Sequence, residues 1–187
     1  MFRCFVFAVV VAVSATPLSA QDSASKDKSF DVQSSAGDLH IGKDADAKKV
    51  GLPLYPGSRL KESDPNSSQA NLSILTEAFG MRLIVANYVS DDAPEKVLDF
   101  YRGKLKKYGK VLECHSEKHG GDVSVHDDKD SSKSKELKCD ENSGPVTELK
   151  VGTEDNQRVV AVEPADSGKG SKFALVYVHT RGKSAEI

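Results

Sequence analysis

The chain has 187 residues, with 26 Lys and Arg against 28 Asp and Glu, no Trp and three Cys. A formal charge of −2 with the two signs interspersed excludes a basic stripe for nucleic acid and a polybasic membrane patch, and no apolar run is long enough to span a bilayer. The length suits one domain.

The first twenty residues read as a secretory signal peptide. Arg3 gives a positive start, an apolar run follows from Cys4 to Ala15, and small residues lead to Ala20 before the polar Gln21. Cleavage there removes Arg3 and leaves 25 basic against 28 acidic residues. The expected location is secreted or periplasmic, with no membrane span after cleavage. Cys114 and Cys139 then face an oxidising compartment and are expected to form one disulfide.

Residues 21–28 are polar and read as a disordered leader, and a single domain is expected over 29–182. Phe30-Asp31-Val32 and Leu39-His40-Ile41 alternate about Ser34 to Asp38, as in a small hairpin. Asp44 is placed to cap a short helix running to Lys49, with Gly51 as its stop. Leu52-Pro53-Leu54-Tyr55-Pro56-Gly57 is an extended entry with a turn at Pro56-Gly57. Ala70 to Thr76 and Met81 to Val89 alternate and read as an antiparallel hairpin.

The clearest element is a helix over Ala93 to Tyr108. Val97, Leu98, Tyr101, Leu105 and Tyr108 share one face, Pro94 opens the first turn, Asp92 is the expected cap, and Gly109 ends the helix. Val111 to Cys114 begins another strand. Residues 115–138 form a polar excursion dense in His, Asp, Lys and Ser, with a short ribbon expected at Val123 to Val125. A meander follows. Val146 to Val151 is expected to point Thr147, Leu149 and Val151 inward. Arg158 to Glu163 returns, and Phe173 to Val178, apolar on both faces, reads as a central strand. Residues 183–187 are a tail. The expected class is α+β: an antiparallel sheet of six or seven strands with one main helix packed on a face.

Leu52-Pro53-Leu54-Tyr55-Pro56-Gly57-Ser58 and Ser90-Asp91-Asp92-Ala93-Pro94-Glu95 leading to Phe100-Tyr101 carry a resemblance. They resemble paired signatures of a group of exported bacterial proteins of unknown function: a Tyr-Pro-Gly strand entry, a hairpin, then an Asp-x-x-Pro helix holding Phe-Tyr. The similarity spans residues 50 to 115. It implies a bacterial envelope origin and carries over no catalytic residue.

Chemistry-bearing clusters are sparse. His115, His119 and His126 with Asp127 could take a transition metal such as zinc, whereas a tolerant polar loop explains them without a ligand. Asp91 and Asp92 could be paired carboxylates, but helix capping accounts for them more simply. Ser58 follows a tight turn without a nucleophile elbow or an identifiable histidine partner. His179 ends the central strand as a satisfied or edge histidine. Asn66 and Asn71 sit in Asn-x-Ser triplets that chance explains. The leading expectation is a binding module without catalytic residues or cofactor, whose partner is an envelope protein or small ligand. Its mark would be an exposed apolar patch or sheet edge. The alternatives are a metal-binding protein using the loop histidines and an enzyme whose site is not recognisable.

Overall fold

The computed structural model describes residues 29–61, 69–117, 136–166 and 168–182. The expected signal peptide and leader, the ribbon expected at 123–125 and the expected tail lie outside them. Among the described residues, nine strands form one antiparallel sheet: β1 (Phe30–Ser34), β2 (Gly37–Gly42), β3 (Arg59–Leu60), β4 (Gln69–Leu75), β5 (Phe79–Ser90), β6 (Leu112–Ser116), β7 (Val146–Thr153), β8 (Asn156–Pro164) and β9 (Ser171–Gly182). Their order is β1-β2-β4-β5-β9-β8-β7-β6, and β3 extends the lane of β4 along β5. The count exceeds six or seven because β2 pairs with β4 and so joins the small hairpin to the main sheet, while Arg59–Leu60 adds a short strand.

Helix α1 (Ala47–Val50) and helix α2 (Pro94–Leu105) both pack on one face. The expected cap of α1 moves by two residues. Asp46, not Asp44, accepts the Lys49 backbone N–H at 2.7 Å, and Gly51 ends the helix at φ 83°. Asp44 instead pairs with the Lys49 ammonium and Asn71. In α2, Val97, Leu98, Tyr101 and Leu105 are buried as their spacing requires, and a 3-10 turn over Lys106–Tyr108 closes the helix. They pack on a row formed by Ala86, Leu175, Val160 and Leu149, which lie side by side across four strands.

The second face carries another buried cluster, including Val146, Val159, Ala161, Ala174, Val176 and Val178. Strand β9 is therefore buried on both faces, as its sequence implies. So is β7, which differs from the expectation of one inward face: Glu148 and Lys150 are 1 % and 2 % exposed. Their opposite charges lie 3.0 Å apart, and the Ser116 hydroxyl donates to Glu148 at 2.7 Å. This mutual pairing is what allows two charged side chains beneath the apolar cluster.

Candidate functional site

The helices cover only part of the sheet, and the exposed apolar surface lies on the other side of its β1–β2–β4 half. Period-two alternation sends Phe30, Val32, Leu39 and Ile41 to one face and Asp31, Gln33, Asp38 and His40 to the other. Pairing aligns the apolar set across strands. Phe30, Ile41, Leu72, Leu83 and Val178 form one row, and Val32, Leu39, Ile74 and Met81 form the next. At the outer end Phe30, Ile41 and Val32 remain 59 %, 48 % and 40 % exposed. The platform thus runs from the buried second-face cluster out to an open apolar rim.

The rim ends at β1, the last strand of the order, with no described strand on its outer side and all five of its residues exposed. Phe30-Asp31-Val32-Gln33-Ser34 contains no Pro and no Lys, residues that commonly blunt an edge, and its one charge, Asp31, is paired with His40 of β2. At the opposite end of the sheet, His115 of β6 is bridged by Asn142.

A polar network on the reverse side holds the platform in register. The His40 ring lies 2.6 Å from the Asp31 carboxylate directly across the hairpin and 3.6 Å from Asp44. Asn71 donates to Asp44 at 3.0 Å. The hydrogen bond to Asp31 raises the His40 pKa against partial burial. The Lys49 ammonium holds Asp44 well below the usual carboxylate range. Asn71, only 6 % exposed and engaged here, is unsuited to carry a glycan. Sequence reasoning missed His40. Its signal was the hairpin register, which places residue 40 opposite residue 31, together with a His-Asp pair at i, i+4.

The paired signatures meet in space as packing. Tyr55 N–H donates to the Tyr101 hydroxyl at 3.1 Å, and the Tyr55 ring meets Phe100 edge-on at 5.2 Å. Phe173 of β9 contacts Tyr55, Tyr88 and Tyr101. Tyr55 also donates its hydroxyl to Asp92 at 2.9 Å, where Lys96 donates at 2.8 Å. Asp92 therefore does not cap α2, which corrects the expectation. Ala93 is the N-cap residue, and it makes no side-chain capping bond. Asp91 is taken by Arg59 at 3.1 and 3.2 Å. The Arg59 partner lowers the Asp91 pKa, and Lys96 followed by Tyr55 lowers that of Asp92, so neither is tuned as a general acid.

The remaining candidates do not converge with these. Ser58 donates to the Tyr55 carbonyl within its turn at 2.6 Å. His179 is exposed, stacks on Tyr177 and borders a shallow cavity of about 180 Å³ with Arg82 and Arg181. It lies eight residues along β9 from Ser171, which pairs with Ser90 beside Asp91. At ~3.3 Å per residue that separation is about 26 Å. Cys114 and Cys139 form the expected disulfide. His115 is half-buried, with its Nδ1 3.5 Å from the Thr147 hydroxyl. His119, His126 and Asp127 lie outside the described residues, and among the described residues no three His, Cys, Asp or Glu side chains gather as a metal site. No described helix is long and apolar enough to cross a membrane.

No known protein family, curated protein or solved structure matched the chain.

Proposed function

We propose that the protein is an exported binding module of the cell envelope, without catalytic chemistry of its own, that takes an extended segment of a partner protein along β1. The observation that carries this reading is the conjunction of an unblunted edge strand with the apolar rim of Phe30, Val32 and Ile41. A strand added to β1 would gain main-chain hydrogen bonds from the edge and seat alternate side chains on that rim. The signal-like leader and the Cys114–Cys139 bond support an oxidising location.

Size favours a segment over a second copy. Three strands at ~4.8 Å spacing and about five residues in length make a platform of roughly 240 Å², well below the ~800 Å² per partner of a stable protein interface. The test is a photo-crosslinking residue at Gln33, on β1, against the same residue at Glu113, on β6, in the exporting cell. A discrete heavier adduct from position 33 alone, lost when Asp31→Pro removes an outward-facing N–H of β1, is the expected result. An adduct of twice the chain mass would replace the partner with a second copy. Identical adducts from both positions, or none, would overturn the reading.

A further inference from the structure

On the helix side, away from β1, an open groove of about 780 Å³ runs between α1 with its following segment and the C-terminal half of α2. Its volume lies within the range of small-molecule sites. Leu52, Pro53 and Leu54 line it together with Tyr88, and Leu54 is 46 % exposed although it neighbours the core. Lys48, Lys104 and Lys107 stand at its border as exposed side chains. Lys104 and Lys107 lie over the rings of Phe100 and Tyr108. One carboxylate, Asp46, also borders the groove, leaving an excess of positive charge.

Gly103 makes the groove more than a gap between helices. It sits inside α2, where glycine is less favourable than alanine. Nothing in the packing calls for it: a Cβ built there meets no atom within 4 Å, and its φ is not positive. Its lack of a side chain keeps the groove wall low, as backbone does where a ligand approaches closely.

The lining also discriminates between occupants. Ala47 N–H is bound by the Tyr88 hydroxyl, the Ala47 carbonyl by Leu52 N–H, the Lys48 carbonyl by Gly51 N–H and the Gly51 carbonyl by the Tyr108 hydroxyl. Pro53 has no N–H to offer. A peptide laid here would find these four groups already engaged and would lose water from its own amides, at a cost for each one left unpaired. An acyl chain has no such groups, and the charge at the border is predominantly cationic.

We infer that this groove binds a long-chain carboxylate, with its acyl chain along Leu52, Pro53 and Leu54 past Gly103 and its head group among Lys48, Lys104 and Lys107. The site is independent of β1 and stands whether or not the edge binds a partner. The probe is dodecanoate below its micelle concentration, titrated by calorimetry into protein exported and purified unreduced. Saturable binding is expected. Gly103→Phe, whose ring would occupy the groove, should weaken it at least tenfold, and Lys104→Glu with Lys107→Glu should do the same with the apolar lining intact. Dodecyltrimethylammonium should bind at least tenfold more weakly than dodecanoate. Absence of saturable binding, equal affinity for the cationic chain, or binding unchanged in the lysine double variant would each overturn the inference. Should Gly103→Phe fail to fold, the lysine variant, which alters only exposed side chains, decides it.

Discussion

Tyr101 and His40 show how single side chains tie distant parts of this chain together. Tyr101 is fully buried, and its hydroxyl accepts the Tyr55 N–H, so the strand entry is fastened to the helix by a group that carries its own apolar mass. Burial pushes its phenol far up, and it stays a neutral structural tyrosine. His40 fastens the hairpin to the sheet through charge, which makes its contribution dependent on pH. Its pKa in the folded protein is raised above 6.5 by the hydrogen bond to Asp31. The protonated form therefore binds more strongly to the native state, and the added stability is full below about pH 6.5 and lost as the pH rises through the raised value. Chemical denaturation of the protein and of His40→Gln should show a stability difference that is largest near pH 6 and smallest near pH 9. A difference constant across that range would show that His40 acts by packing alone.

At the scale of elements, the alternation in β4 and β5 and the helical spacing in α2 were legible because each is a local pattern with one apolar face. β7 was misread for a related reason. Thr147-Glu148-Leu149-Lys150-Val151 alternates like a strand with one wet face, yet Glu148 and Lys150 sit under the second buried cluster. Removing one member of such a pair leaves the other buried and uncompensated, at a typical cost of 3 to 5 kcal/mol, roughly, whereas replacing both with apolar residues is often neutral or better. Glu148→Ala is expected to lower stability by about 3 to 5 kcal/mol, and Glu148→Leu combined with Lys150→Met to lower it by far less. Urea unfolding of both variants checks this. Equal losses would mean that Glu148 owes its place to contacts other than Lys150. The N-terminus of α2 carries a parallel lesson. Asp92 had the spacing of a cap, but Tyr55 and Lys96 compete for its carboxylate and hold it outside the helix end.

For the whole molecule, the sheet is assembled from pairings far apart in the chain, β5 with β9 above all, and the disulfide limits how far the unfolded chain can separate its later strands. Cys114 lies in β6 and Cys139 precedes β7, the neighbouring strand, so the bond ties together two adjacent lanes of the sheet. With a sequence separation of 25 the loop-closure term is about 3.5 kcal/mol at 25 °C. Cys114→Ala with Cys139→Ala should lower unfolding stability by about that amount, read from denaturant curves with the wild type kept oxidised. Reducing the wild type should bring it close to the variant, and curves that coincide under oxidising conditions would show that the bond does not constrain the unfolded chain.

What the amino-acid sequence determined by itself were features written within a dozen residues: the face of α2, the turn at Pro56-Gly57, the β4–β5 hairpin, and the two-sided apolar run of β9. The pairing of Cys114 with Cys139 was equally legible, because only two cysteines follow the expected signal peptide. Tertiary structure alone decided that β2 joins β4, which turns a small hairpin into the rim of a nine-stranded sheet and leaves Phe30, Val32 and Ile41 in the open. It also decided that Glu148 and Lys150 turn inward and that Leu52, Leu54 and Gly103 share a groove. Period, cap and turn signals report which face of an element is apolar. They carry no record of which distant strand or helix arrives to cover that face, because the free energy of covering belongs to the pair and not to either segment.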